Sequence, residues 1–151
     1  DIHLVLVGKR TYYTNQIDAF IKSHRLEKRV HLLHDVTFQY LPAIYQQAEI
    51  FVYPSRFEGF GIPIIEALHS GIPVIAATGS CLEEAGGPDS LYVHPDDKEG
   101  MTKAICSLLN HPEKRQHMIE QGLKYVTRFS EQRQAEELMN LYRSLTEEKT
   151  I

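Results

Sequence analysis

One stretch constrains the rest of the chain: Tyr53 to Val74, YPSRFEGFGIPIIEALHSGIPV. The apolar run Ile50-Phe51-Val52-Tyr53 reads as a buried strand, and Pro54-Ser55 stops it. Arg56 to Ile62 is a loop carrying Gly59 and Gly61, where the backbone can bend sharply or approach a ligand closely. Pro63 suits the first turn of a helix because it lacks an amide hydrogen. Ile64, Ile65, Ala67 and Leu68 continue that helix, Gly71 ends it, and Ile72 to Ala76 reads as the next strand. A glycine-bearing loop that runs from a strand end into a helix start presents free amides and a partial positive charge to an anion. Glu58 sits in the loop and Glu66 about one turn inside the helix, with seven residues between them. Amides for phosphate or hydroxyl oxygens, with two carboxylates for hydroxyls, suit an anionic and polyhydroxylated ligand. A nucleotide sugar is such a ligand.

The flanking sequence alternates strand and helix patterns. Ile2 to Val7 reads as a buried strand ended by Gly8, and Lys9-Arg10 as a solvated loop. Tyr13 to Leu26 reads as a helix capped by Thr14 or Asn15, with Ile17, Phe20, Ile21 and Leu26 on its apolar face. Arg29 to Leu33 is a short strand. Thr37 to Ala48 is a helix with Tyr40, Leu41, Ile44 and Tyr45 as core. Beyond the central unit, Leu82 to Ala85 forms a short helix that Ser80 could cap, ended by Gly86-Gly87-Pro88. Ser90 to Val93 is the last strand. Asp96 or Asp97 caps a helix through Leu109 that buries Met101, Ala104, Ile105 and Leu108. Two more helices follow, about 113–128 and 130–145. Met118, Leu123 and Val126 are the apolar positions of the first. Ala135, Leu138, Leu141, Tyr142 and Leu145 form a stripe on the second, and the chain frays from Glu147 to Ile151. The alternation predicts an α/β fold, a Rossmann-like parallel sheet with helices on both faces, with ligands bound beyond the carboxyl ends of the strands.

Composition narrows the function classes. At 151 residues the chain is one domain by length. A net charge of -4 gives no support to a nucleic-acid or anionic-membrane footprint. Two cysteines, Cys81 and Cys106, are too few for a disulfide framework and lack metal spacing, so a reducing, cytoplasmic compartment is expected. No apolar run approaches the ~18 residues of a membrane span. The pair Asp96-Asp97 is better read as a helix cap than as a metal site, and no metal or other cofactor is expected.

Glu58, the loop Gly59-Phe60-Gly61-Ile62-Pro63, Glu66-Ala67 and Gly71 to Ile75 resemble the signature of the group 1 family of retaining nucleotide-sugar glycosyltransferases. The likeness runs from about Leu4 to the C-terminus. It implies the C-terminal, donor-binding half of a GT-B fold. Residues 1–151 would then be a piece lacking the N-terminal acceptor domain and the first strand-helix unit of the donor domain, inactive by itself. The full-length protein would move a hexose-type sugar from an NDP-sugar donor to a sugar, glycan or lipid-linked acceptor in glycan or polysaccharide biosynthesis. The resemblance also allows association of that protein with the inner face of the membrane.

Residue by residue, the resemblance assigns Glu66 to the donor ribose, where a carboxylate offers two acceptors to a vicinal diol. Glu58 falls to the donor sugar, in orientation and charge stabilisation; it is the candidate catalytic residue. Phe60, Gly61 and Ile62 would offer backbone amides to sugar hydroxyls or the distal phosphate, and Ser55 and Arg56 border the same loop. Without the family context, Glu66 would be a solvated helix residue, Glu58 a loop carboxylate capping the next helix, and the glycines plain turn residues. His34 stands where relatives have glycine beside the nucleotide base, and Glu83 where they have proline. Two rival readings remain: a non-catalytic nucleotide-sugar-binding relative, and an NDP-sugar epimerase or hydrolase of the same fold. The latter would need acid–base residues from His34, His69 and His94.

Overall fold

A computed structural model describes residues 2–147. Of the end expected to fray from Glu147 to Ile151, Glu147 is helical and residues 148–151 lie outside the described residues. The chain divides into two compact units, one through Ala43 and one from Ile44.

In the first unit, strands β1 (Leu4–Val7) and β2 (Val30–Leu33) pair in parallel, Leu4 opposite Val30 and Val7 opposite Leu33. Helix α1 (Tyr12–Ser23) connects them. Its N-cap is Thr11, one turn before the expected Thr14 or Asn15. Thr14 instead accepts the Thr11 N–H on its hydroxyl at 2.9 Å, the reverse half of a capping box. Two expectations of burial fail here. Strand β1 leaves Leu4 50% and Val7 44% exposed, and Phe20 on α1 is exposed too. A two-stranded sheet with one long helix offers too few elements to cover both faces of a strand.

The expected helix over 37–48 breaks into a 3-10 turn (Phe38–Tyr40) and a short helix α2 (Leu41–Gln46). Pro42 cannot donate a backbone hydrogen bond, and Tyr40 is exposed rather than core.

The second unit carries the parallel sheet β3 (Phe51–Tyr53), β4 (Val74–Ala77) and β5 (Leu91–Val93), in that order. The strands are short and their side chains alternate between two cores. Phe51, Tyr53, Val74, Ala76 and Tyr92 face one core with Ile64, Ala67, Leu68, Leu82, Ala85 and Val126. Val52, Ile75, Leu91 and Val93 face the other with Met101, Ala104, Ile105, Leu108 and Met118. Helices α3 (Ile62–His69) and α4 (Leu82–Gly86) supply the first core, and α5 (Lys98–Asn110) the second. The sheet therefore has helices on both faces, as the strand–helix alternation predicts.

Helix α5 is capped by Asp97, whose carboxylate accepts the Gly100 N–H at 2.8 Å. Helix α6 (Pro112–Val126) packs against α3, with Gly122 set directly over the Leu68 side chain. Leu123, expected to be buried, is exposed. Helix α7 (Glu131–Glu147) leaves Leu138, Leu141, Tyr142 and Leu145 of the apolar stripe about half exposed. Among the described residues no helix is long and apolar enough to cross a membrane.

Candidate functional site

The five predicted site residues all lie on the loop and helix that follow β3, at the carboxyl edge of the three-stranded sheet. The neighbouring loops at that edge follow β4 (Thr78 to Cys81) and β5 (His94 to Asp97).

Glu58 is half-buried and tightly held. Tyr53 Oη donates to its Oε1 at 2.6 Å, and Ser55 Oγ donates to the same oxygen at 2.7 Å. These donors stabilise the ionised form, Tyr53 most and Ser55 next, and hold the carboxyl below the usual glutamate range. Tyr53 responds in the opposite sense: burial first, then its bond to Glu58, pushes its phenol up to about 12. The Glu58 carbonyl accepts from Cys81 Sγ at 3.3 Å, so the loop after β4 pins the loop after β3. This gives Cys81 a structural place.

Glu66 lies in the middle of α3, half-buried, and its Oε2 accepts from Tyr45 Oη at 3.0 Å. Burial first, then this hydrogen bond, raises the Tyr45 phenol well above its ordinary value. Tyr45, Phe51 and Tyr53 form a row of rings. Tyr45 meets Phe51 edge-on at 5.3 Å between centroids, and Phe51 stacks on Tyr53 at 5.8 Å. Each end of the row donates to one of the two carboxylates.

Gly61 is the N-cap of α3, with φ 105° and ψ 39°. A Cβ there would lie 2.9 Å from Leu82 Cδ2 and 3.1 Å from Ala85 Cβ. The bend expected from the sequence is present. What comes close to Gly61 is helix α4. Gly59, by contrast, has open space where a Cβ would sit. Of the first amides of α3, that of Ile64 is used by the Gly61 carbonyl at 2.9 Å and Pro63 has none. Ile62 is the first residue of α3, and the first amides of a helix have in general no carbonyl one turn earlier to reach. The Phe60 ring sits edge-on to Phe129 at 5.6 Å, in the 3-10 turn Thr127–Phe129, and fixes the far side of the loop.

Arg56 does not stand free in the loop. Its guanidinium forms a two-pronged pair with the Asp96 carboxylate, Nη1 to Oδ2 at 3.0 Å and Nη2 to Oδ1. The Arg56 hydrogen bonds hold the Asp96 carboxyl below its ordinary value. This pair joins the loops after β3 and β5. Asp96 and Asp97 thus have separate tasks, one as ion-pair partner and one as helix cap. Among the described residues no group of three His, Cys, Asp or Glu side chains converges as metal ligands would.

In the first unit, His34 is half-buried, with Nδ1 2.9 Å from the Gly8 carbonyl and a buried Nε2 that meets no hydrogen-bond partner. It borders a hollow with Arg10, Lys22 and Glu27.

The sequence reading missed Tyr45 and Tyr53 as partners of the glutamates, having placed one in a helix core and the other in a strand. The available signal was the hydroxyl itself: a largely buried tyrosine needs a hydrogen-bond acceptor that phenylalanine does not. It missed the Arg56–Asp96 pair as well.

The arrangement presents two carboxylates, each with one oxygen already occupied, beside the start of helix α3. It can accept hydroxyl protons and donate to an anion. The chain is 37% identical over 111 residues to the O-antigen chain mannosyltransferase RfbU of Salmonella typhimurium, covering 74% of this chain and 31% of that protein. It is 30% identical over 142 residues to O-antigen chain mannosyltransferase B of Escherichia coli, covering 94% and 37%. The chain thus spans about a third of the length of the curated relatives it matches. The crystal structure of Anabaena HepE in complex with UDP superposes with a TM-score of 0.81 at 22% identity, over 92% of this chain and 41% of that one, a likeness of fold. The family described as glycosyl transferases group 1 matches residues 1–125. The chain belongs to the group 1 family of glycosyl transferases.

Proposed function

We propose that this chain is the donor-binding part of a retaining glycosyltransferase that moves a sugar from an NDP-sugar to a growing glycan. The observation that carries this reading is the pair Glu58 and Glu66, each anchored by a tyrosine hydroxyl at the carboxyl edge of the sheet, on either side of the α3 N-terminus. Glu66 takes the ribose hydroxyls. The Ile62 amide, with those of Phe60 and Gly61, takes the distal phosphate or sugar hydroxyls.

Glu58 orients the donor sugar and stabilises positive charge as the glycosidic bond to phosphate breaks. Its Oε1 already accepts two hydrogen bonds and its basicity is lowered, which makes it a poor nucleophile. This favours a mechanism in which the leaving phosphate assists the acceptor on the same face of the sugar and configuration is kept. The sugar is mannose, on the strength of the two mannosyltransferase relatives, and the acceptor is a saccharide chain.

The reading is tested by calorimetric titration of UDP, GDP and ADP into the full-length protein, with Glu66→Ala alongside. One nucleotide should bind, and Glu66→Ala should weaken it by about a hundredfold, since a hydrogen bond to a charged group contributes ~1.5–3 kcal/mol and two hydroxyls are lost. Binding unaffected by Glu66→Ala would sink the site assignment. Hydrolysis or epimerisation of the donor without transfer would replace the transferase reading. The anomeric configuration of the product, read by NMR, decides retention.

A further inference from the structure

The rings of Tyr45, Phe51 and Tyr53 pack against the first core, and the two outer hydroxyls reach the site. Phe51 and Tyr53 are two residues apart on β3 and share one face of the sheet, where both pack on the first core. Tyr45 belongs to α2 and meets Phe51 edge-on. The outer rings end in hydroxyls, and each hydroxyl donates to one oxygen of a different glutamate. A hydrophobic core alone would be served as well by phenylalanine at these positions. Burying a phenol adds a need for an acceptor, and here each acceptor is a site carboxylate.

The two ends are loaded unequally. Glu58 Oε1 receives Tyr53 at 2.6 Å and Ser55 at 2.7 Å, so both lone pairs of that oxygen are taken and the remaining acceptor capacity lies on Oε2. Among the described residues Glu66 Oε2 receives one hydrogen bond, from Tyr45 at 3.0 Å, and keeps more acceptor capacity. A carboxylate with one usable oxygen can orient a single hydroxyl or face a single developing charge. One with capacity on both oxygens can take a vicinal diol.

We infer that Tyr45 and Tyr53 are positioning residues that act through the glutamates, Tyr53 setting the orientation of Glu58 for the chemical step and Tyr45 setting that of Glu66 for donor binding. Phe51 couples them, so the separation of the two carboxylates follows the packing of β3 rather than the free rotation of two exposed side chains. The inference rests on the donor-site reading of Glu58 and Glu66.

The test is steady-state kinetics on the full-length protein with Tyr45→Phe, Tyr53→Phe and Ser55→Ala, beside Glu58→Ala and Glu66→Ala. Each phenylalanine keeps its ring and loses only the hydroxyl. Tyr45→Phe should raise the donor KM by about tenfold with kcat nearly unchanged, as expected for one lost hydrogen bond to a charged group. Tyr53→Phe should lower kcat by about tenfold with donor KM nearly unchanged. It should also move the acidic limb of the kcat/KM–pH profile to higher pH, because the strongest donor holding Glu58 ionised is gone. Ser55→Ala should move that limb in the same direction by less.

A merely structural role would lower thermal stability without splitting KM from kcat and without moving the limb, and either of those results overturns the inference. If the two glutamate variants themselves leave turnover and donor binding intact, the donor-site reading has failed. If the glutamate variants are inactive while both phenylalanine variants behave as wild type, only the positioning role has failed.

Discussion

Replacing Gly61 by alanine asks the structure for two things it cannot easily give. The residue has φ 105° and ψ 39°, in the region where an L side chain clashes with its own backbone. For a non-glycine residue that conformation costs about 1–2 kcal/mol. The new methyl would also lie 2.9 Å from Leu82 Cδ2 and 3.1 Å from Ala85 Cβ. Leu82 and Ala85 have no exposed surface, so neither can swing into solvent. Inserting a methyl into such a core costs roughly 1–3 kcal/mol. The smaller freedom of alanine in the unfolded chain returns about 0.4–1 kcal/mol. The midpoints of these ranges give a net loss of ~3 kcal/mol. For a chain of this size that lowers Tm by roughly 5–15 °C. The assay is thermal and urea unfolding followed by circular dichroism, with Gly59→Ala as the control. A methyl on Gly59 would meet no atom within 4 Å, so that variant should stay within about 0.5 kcal/mol of wild type. A Gly61→Ala protein melting within ~2 °C of wild type would refute the reasoning. It would mean that α4 yields to the methyl and that Gly61 serves only the course of the chain.

Two further outcomes are expected. Asp97→Ala removes the acceptor for the Gly100 N–H at the start of α5 and should cost ~1 kcal/mol, read as a fall in the urea midpoint with unchanged m-value. Glu58 has a folded-state pKa depressed from the ordinary 4.5, so its contribution to stability is complete above 4.5 and is lost as pH falls through the lower folded value. Glu58→Gln should therefore flatten the fall of Tm below pH 4.5, and an unchanged acid slope would show that the Tyr53 and Ser55 bonds do not favour the ionised form.

The central unit was legible because its signals are local. Proline at the helix start, glycine at its end and a short apolar run on either side place β3, α3 and β4 with small shifts: the helix begins at Ile62 and the second strand reaches Ala77. Asp97 was one of two aspartates read as the α5 cap, and it is the one that caps. Where the reading failed, the cause was an assumption about neighbours. A β-branched run such as Leu4 to Val7 looks the same whether helices cover both faces or not, and here it stays nearly half exposed. Tyr40 and Leu123 fit a helical period, yet both are exposed.

The sequence by itself determined the order of strand and helix units, the glycine-bearing turn between β3 and α3, and the spacing that puts two glutamates on that turn and helix. These follow from backbone preferences and from periodicities of two and 3.6, which need only a few adjacent residues. Only the tertiary structure decided which carboxylate oxygens are occupied, what fills the space beside Gly61, and where Arg56 finds its counter-charge. Tyr45 and Glu66 are 21 residues apart, and Arg56 and Asp96 are 40 apart. Such pairs meet because the strands lie side by side in parallel, with their carboxyl ends and the loops that follow gathered at one edge. A hydrogen bond depends on positions held to a few tenths of an ångström, and packing sets those only after the units have assembled.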